Sequence, residues 1–325
     1  MGLVGNVCVV GLGLIGGSVL RAAAGAGHSV WGTTASAADA SAAAADGFDV
    51  GTDAAAALRR AAERDALVVL AVPLPSVGDV LRLVTEHAPG CRLTDVVSVK
   101  EPVAEAVRRF APSARYVGGH PMAGTSASGW AAGSAGLFAD AAWVVAAEDG
   151  GDPSVLREVT ALALDCGAHV VPATAAEHDA AVARISHLPH VLAAVLAAVG
   201  ADGGPLALAL AAGSFGDGTR VAGSRVELVR AMCEGNRSAL LDAVDDALGR
   251  LGAARGSLAS TGSLGKTLEA GHAGRLALTE QRAAARTPLR IDLTAPDAMA
   301  ALRALGSRGG RITALDGAVA LAETT

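Results

Sequence analysis

Aromatic side chains are scarce in this chain: its 325 residues include four Phe, three Trp and one Tyr. A core short of large rings must be filled by small aliphatic groups, and alanine, valine and leucine carry most of the 51% hydrophobic content. Close approaches between helices, and between helices and sheets, are therefore expected. There is no excess of positive charge, since 26 Lys and Arg face 32 Asp and Glu for a net charge of −6. That leaves no basic footprint for nucleic acid. The four cysteines, Cys8, Cys91, Cys166 and Cys233, are far apart and form no Cys-x-x-Cys. This excludes a disulfide framework or zinc motif and reads as free thiols in a reducing compartment. No basic leader opens the chain, which enters a strand pattern at once. The most apolar region, 188–213, is broken by Asp202-Gly203-Gly204-Pro205, too short on either side to span a bilayer. A soluble, cytoplasmic protein without membrane or nucleic-acid partners is expected. Its length exceeds one comfortable core, so at least two domains are expected.

What the chain does have begins with glycine. A valine-rich run, 6–10, leads into Gly11-Leu12-Gly13-Leu14-Ile15-Gly16-Gly17-Ser18. This is G-x-G-x-x-G with a strand before it, a helix (14–24) after it and a second strand at 28–32. In that context Gly11 permits the tight turn, Gly13 lets backbone approach a pyrophosphate, and Gly16 lets helix and strand pack closely. Phosphates then meet the helix N-terminus. The candidate cofactor contacts are Gly11, Gly13, Leu14, Ile15, Gly16, Thr33, Thr34, Val72 and Pro73. The end of the second strand separates NAD from NADP: an acid there suits the ribose hydroxyl, an Arg a 2′-phosphate. This chain has Thr33-Thr34-Ala35-Ser36, with no acid before Asp39. Either cofactor, NAD or NADP, remains open.

Further α/β alternation follows: helix 53–64, strand 66–72, helix 76–87 with Ser76 as its cap, strand 92–97, then a helix through Phe110. Unalternating apolar strands suit a parallel sheet covered on both faces. Ser98 and Lys100 fall at a strand's C-terminal end, the edge where open α/β sheets bind ligands. Ser98 is a helix cap or a site residue, and Lys100 reads as a solvated first-turn side chain.

Val117-Gly118-Gly119-His120-Pro121-Met122-Ala123-Gly124-Thr125 then places a histidine in a turn among small residues. An imidazole titrating near neutrality is suited to moving a proton; the alternative is a hairpin loop with an incidental His. Strand 143–147, helix 153–166 and strand 169–172 complete the first domain.

From Thr174 the pattern is helical. Thr174, with Glu177 three residues on, makes a capping box for an apolar helix over 174–200. Within it, Arg184-Ile185-Ser186-His187-Leu188-Pro189-His190 carries a proline that should kink or interrupt the helix. His187 and His190 share a face on a regular helix, but no carboxylate completes a metal site, and no metal is expected. Gly213-Ser214-Phe215-Gly216-Asp217-Gly218-Thr219-Arg220 reads as a glycine-rich loop delivering Arg220 into a helix. Arg220 can clamp a carboxylate or simply pair with Asp217. Helices at 226–234, 237–251 and 268–285 follow. The tail reads strand–helix–strand. The expected division is a Rossmann-type α/β domain (1–173), an all-α domain (174–285) and a small C-terminal appendage (286–325).

Together these residues resemble the prephenate/arogenate dehydrogenases of tyrosine biosynthesis over 7–251. The specific blocks are Gly119-His120-Pro121-Met122-Ala123-Gly124-Thr125, Ser186-His187-Leu188-Pro189-His190 and Gly218-Thr219-Arg220-Val221-Ala222, supported by Thr94-Asp95 and Ser98-Val99-Lys100. The resemblance implies a Rossmann domain, a helical domain that forms a homodimer, and NAD(P)-dependent oxidative decarboxylation of prephenate to 4-hydroxyphenylpyruvate, or of arogenate to tyrosine. It implies His120 as the catalytic histidine and Ser98 as a hydrogen-bonding partner of the substrate hydroxyl or of His120. Arg220 would hold a substrate carboxylate, and His190 and Thr125 would contact substrate. Asp217 would belong to the same set, where the family reaches across the dimer. Ser126 stands where some relatives carry an acid, which leaves the two substrates open. The tail is about half the length of the family's regulatory ligand-binding domain, which makes tyrosine feedback doubtful. Related β-hydroxyacid dehydrogenases depend on a lysine in the helical domain, and 174–265 contains none. The non-enzyme alternative is an NAD(P)-sensing module with His120 silent.

Overall fold

The computed structural model describes residues 5–125 and 127–325, and they form two compact units. One runs to residue 178 and takes up 288–324 again; the other is 179–287 with residue 325.

The first unit opens with alternating strands and helices: β1 (Asn6–Val10), α1 (Leu14–Gly25), β2 (Ser29–Thr33), α2 (Ala37–Ala45), β3 (Val50–Gly51), α3 (Ala54–Glu63), β4 (Leu67–Leu70), α4 (Leu74–His87), β5 (Arg92–Asp95), α5 (Glu101–Phe110) and β6 (Arg115–Tyr116). The sheet order is β3-β2-β1-β4-β5-β6. Every pairing in it is parallel, with Val7 opposite both Val30 and Leu67. This is the doubly wound dinucleotide-binding order. β1 and β4 are buried along nearly their whole length, as unalternating valine and leucine require of a sheet covered on both faces. Local chemistry sets the helix starts: Ser36 caps α2 and Asp53 caps α3 through backbone N–H groups three residues on. α4 departs from expectation. It starts at Leu74 on Pro73, with Pro75 in its first turn. Pro is favoured there because the first-turn N–H groups have no helical partner, so Ser76 lies inside the helix and caps nothing.

A second sheet follows, from β7 (Gly119–Pro121), β8 (Ala142–Ala146), α6 (Pro153–Asp165) and β9 (His169–Ala173). β7 pairs antiparallel with β8, placing His120 opposite Val144, and β8 pairs parallel with β9. His120 therefore sits on a strand rather than in the expected turn.

Helical structure takes over at α7 (Ala175–Val182). Its capping box is present: Thr174 N–H donates to the Glu177 carboxylate at 2.8 Å and Glu177 N–H to Thr174 Oγ1 at 3.1 Å. A π-helical turn, Ala183–His187, joins α7 to α8 (Leu188–Asp202). Pro189 has no N–H to offer the carbonyl four residues back, and its ring crowds that turn, so the helix widens instead of breaking. The whole run, 28 residues over Ala175–Asp202, is long and apolar enough to cross a membrane by length and composition. That corrects the reading that the apolar stretch is too short. The second unit continues with α9 (Gly204–Ala209), α10 (Gly213–Thr219), α11 (Val226–Gly235), α12 (Arg237–Thr261) and α13 (Gly265–Ala283). The expected glycine-rich loop at 213–219 is helical, and Arg220 begins a 3-10 turn, Arg220–Gly223.

The tail is β10 (Thr287–Asp292), α14 (Ala298–Ser307), β11 (Arg311–Asp316) and β12 (Val319–Thr324). It has one strand more than expected and is no appendage. Its strands extend the second sheet in the order β10-β12-β11-β9-β8-β7, with Ile312 of β11 opposite Val170 of β9. Ile291, Leu302, Leu305 and Ile312 share one core with Val7, Leu67, Trp143 and Leu162. A separate core under α3, α4 and α5 holds Leu58, Leu81 and Val103 against Val68 and Leu70. Leu305 is fully buried, so Leu305→Ala should cost about 2–5 kcal/mol. Urea unfolding of the whole chain reads this directly; an unchanged midpoint would mean that the tail is not fastened to the core.

Candidate active site

The glycine turn after β1 has the geometry its sequence implies. Gly11 has φ +98°, and a Cβ there would lie 2.5 Å from the Ala71 carbonyl oxygen. A Cβ on Gly16 would collide with the Gly11 carbonyl, while one on Gly13 would meet nothing within 4 Å. Two of the glycines are thus required by the protein's own backbone, and the third faces open space. α1 has no side-chain cap and no acid in its first turn, and its first helical bond is Gly17 N–H to Gly13 O at 2.8 Å. The Leu14, Ile15 and Gly16 amides precede that bond, at the positive end of the helix dipole. This cradle fits a pyrophosphate. Thr33 is buried, and its carbonyl accepts the Gly11 N–H at 2.8 Å. Val72 packs against Gly11, and Pro73 follows it at the start of α4. The structure therefore gathers the expected cofactor residues at the C-terminal ends of β1, β2 and β4.

The acid after β2 is committed elsewhere. Asp39 Oδ1 accepts the Trp130 N–H at 2.9 Å. Trp130 Nε1 donates to Asp46 at 2.7 Å, and the Arg21 guanidinium lies 3.4 Å from its ring centroid. Ser18 Oγ accepts the Ser134 N–H at 2.9 Å. These contacts pin the excursion between β7 and β8 onto α1 and α2. Thr125, exposed on that excursion, accepts the Ala127 N–H at 3.2 Å. Ser126 lies outside the described residues.

His120 is half-buried on β7. Its Nδ1 is 2.8 Å from Nε2 of His178, and the rings meet edge to face with centroids 5.0 Å apart. His178, in the first turns of α7, is 3% exposed. Beneath β7 lies a buried ion pair. Lys100 Nζ donates to Asp95 Oδ1 and, at 2.7 Å, to the Gly119 carbonyl. Tyr116 OH donates to Asp95 Oδ2 at 2.6 Å, and Val97 N–H to Oδ1 at 2.8 Å. Lys100 is 1% exposed, which overturns the solvated reading: it is the residue before α5, folded back under the strand that carries His120. Ser98 is half-buried in the bend between β5 and α5 and does not cap that helix, whose preceding position is Lys100. A Cβ on Gly119 would lie 2.8 Å from the Asp95 carbonyl, so the C-terminal end of β5 and the start of β7 run side by side.

In the helical unit, His187 is buried, with Nδ1 3.1 Å from Asn236 Nδ2, which also donates to the Asp179 carbonyl at 2.7 Å. His187 thus ties the π turn to the start of α12. His190 is half-exposed in the first turn of α8, and its Nδ1 is buried without a partner among the described residues. Asp217 and Arg220 are exposed and form no ion pair with each other. Among the described residues no group of three or more His, Cys, Asp and Glu is placed to hold a metal ion. Cys8 and Cys166 are buried, and desolvation raises each thiol to about 12, so neither is a nucleophile.

Motif reading did not find His178 or the Lys100–Asp95–Tyr116 network. Lys100 is five residues after Asp95 across a strand–helix junction in a run otherwise apolar or small, the one sequence signal for its burial. His178 carries no such mark.

Residues 17–172 match the family model for the nucleotide-binding domain of prephenate dehydrogenase, and 174–262 the model for its dimerization domain. A Bacillus subtilis prephenate dehydrogenase is 32% identical over 251 residues, covering 74% of this chain and 67% of that protein. A crystal structure from Corynebacterium glutamicum, provisionally assigned as a prephenate dehydrogenase, superposes with TM-score 0.89 at 45% identity, covering 94% of this chain and 98% of the other. The Synechocystis arogenate dehydrogenase structure gives TM-score 0.72 at 30% identity, covering 84% and 99%.

Removing one member of a buried pair strands the other charge. Lys100→Met should therefore destabilise the protein by about 3–5 kcal/mol. Adding Asp95→Asn should recover part of that loss in chemical denaturation; equal stability of Lys100→Met and the parent would contradict the buried pair.

Proposed function

The chain belongs to the prephenate dehydrogenase family of nicotinamide-dependent oxidoreductases, and from that footing we propose that it oxidatively decarboxylates prephenate to 4-hydroxyphenylpyruvate. In this reading His120 takes the proton of the ring C4 hydroxyl, and Ser98 hydrogen-bonds the same hydroxyl or orients the imidazole. A nicotinamide held on the glycine turn supplies the acceptor for the hydride that leaves C4. Loss of carbon dioxide makes the ring aromatic, so the step does not reverse. Arg220 holds a substrate carboxylate as a charge-assisted clamp; His190, Thr125 and Asp217 are the remaining substrate contacts. The observation that carries the reading is the half-buried His120 imidazole, held through Nδ1 on a strand braced by a buried ion pair. A base must be held in one orientation to work.

Arogenate is the second reading for the substrate, favoured by the 30% identity to the Synechocystis enzyme. For the cofactor, Gly13 and the uncapped start of α1 suit the pyrophosphate of NAD and NADP alike, and Thr34 and Ser36 provide hydroxyls for either ribose.

We further infer a homodimer in the cytoplasm. Ile185, Val199, Leu206, Leu210, Leu251 and Leu268, all on the helical unit, are more than 60% exposed. Apolar surface on that scale marks an interface, and this unit matches the model named for dimerization. A second copy covering that face also accounts for the apolar Ala175–Asp202 run without a bilayer. Sedimentation of the intact chain at twice the 31.9 kDa protomer mass is the expected result.

Reduction of NAD or NADP followed at 340 nm with prephenate, then with arogenate, tests the activity and ranks both pairs. His120→Asn should lower kcat by roughly 10²–10⁴-fold with cofactor affinity nearly intact. Arg220→Ala should lose about 1.5–3 kcal/mol, mostly as a higher KM. Near-normal kcat in His120→Asn would remove the histidine from the chemistry.

A further inference from the structure

We propose that His178 is the positioning residue for His120: by accepting the Nδ1–H of His120, it holds that imidazole in the tautomer whose Nε2 carries a lone pair. The inference rests on the reading of His120 as the base, and it adds the group that makes the base competent. A neutral imidazole has one donor and one acceptor nitrogen, and the hydrogen bond at one nitrogen decides which is which. His120 Nδ1 and His178 Nε2 are 2.8 Å apart. In a neutral pair one of these atoms must donate and the other accept. If His178 donated, His120 would carry its proton on Nε2 and could take nothing from a substrate hydroxyl. If His120 donates, Nε2 is basic.

The role of His120 as the base requires the second arrangement. His178 lies at the fourth residue of α7, whose first turn is fixed by the Thr174–Glu177 capping box. His178 is also 3% exposed, so the ring that faces His120 is held in one place by its packing. When His120 takes the substrate proton, the O–H bond breaks and an Nε2–H bond forms. The resulting positive charge stays on the half-buried ring of His120, whose Nδ1–H then donates more strongly to a neutral acceptor. The proton returns to solvent from Nε2, and none passes to His178. This is the logic by which a buried partner fixes the tautomer of a catalytic histidine, with a neutral imidazole in place of a carboxylate. The neutral partner orients the base without the extra charge that would raise its affinity for protons.

Two substitutions and one spectrum test this in the full-length protein. Gln places an amide oxygen close to where Nε2 of His178 lies and can still accept from Nδ1–H; Leu cannot. His178→Leu should lower kcat by roughly 10²-fold or more, with KM for both substrates changed by less than about threefold. His178→Gln should recover kcat to within about tenfold of the parent. Long-range ¹H–¹⁵N correlation of histidine-labelled protein, assigned with His120→Asn, should show His120 protonated at Nδ1 in the parent and in His178→Gln. In His178→Leu that preference should be lost. Equal impairment of the Gln and Leu variants, or near-parental kcat in His178→Leu, overturns the proposal. So does a parent spectrum in which His120 Nδ1 lacks its proton. The spectrum needs no turnover, so a parent protein inactive on prephenate and arogenate would sink the proposed function while leaving the tautomer to be decided separately.

Discussion

An ammonium and a carboxylate taken out of water together, Lys100 and Asp95, set where the rest of the site can be. Neither is more than 1% exposed. Removing two charges from solvent costs several kcal/mol each and is offset only when the remaining donors and acceptors are satisfied. Here they are well supplied: Asp95 accepts from Lys100, Tyr116 and Val97, and Lys100 also donates to the Gly119 carbonyl. That last bond ties the start of α5 to β7 of the second sheet. A network of this kind is held whole or lost whole, so it specifies the approach of β7 to β5. Gly119 has to be glycine for the same reason: a Cβ would lie 2.8 Å from the Asp95 carbonyl and 3.0 Å from Trp143 Nε1. Once Gly119 is fixed, the backbone leaves His120 little choice of position.

The cofactor side is built by the opposite means, from backbone and space instead of charge. Gly11 and Gly16 are consumed by close packing and Gly13 opens outward, so the amides at the start of α1 face open space, the arrangement that suits a phosphate. The acid that dinucleotide-binding folds often place on the ribose has a different task here. Asp39 holds the Trp130 backbone, and through it the segment that follows His120. Anchoring that segment to α1 and α2 couples the strand that carries His120 to the helix that follows the glycine turn. With Asp39 so engaged and no acid in Thr33-Thr34-Ala35-Ser36, sequence inspection finds no determinant for one cofactor over the other.

Much of this was legible in the chain as written, because strand, turn and helix signals are local. The doubly wound order follows from alternating apolar runs and caps, and Gly11, Gly13 and Gly16 announce their roles by spacing. The family blocks around His120, His187 and Arg220 were equally plain. What escaped was non-local. Lys100 reads as solvated because nothing within a few residues reveals that Asp95, Tyr116 and the Gly119 carbonyl meet it. His178 stands 58 positions from its partner in a helix whose pattern gives it no distinction. The tail reads as an appendage because β11 pairs with β9, more than a hundred residues earlier, and β12 hides behind the tight turn at Gly317-Ala318. The 213–219 stretch reads as a loop because six of its seven residues are glycine or small and polar, whereas packing of Phe215 and Gly218 against α8 makes it helical.

The π turn before Pro189 shows how a local defect separates two histidines that a regular helix would treat alike. Three residues apart, His187 and His190 would face the same way and compete for the same surroundings. The wider turn ends at His187 and a normal helix restarts at Leu188, so the angular relation between the two rings is reset. His187 turns inward and spends its Nδ1 on Asn236, joining three backbone segments at one buried point. His190 is left half-exposed with a buried ring nitrogen that no described group satisfies. An imidazole in that condition is favoured only if something else completes it. The proline that forces the turn therefore does two things at once: it allows one histidine to become structural, and it leaves the other half-exposed.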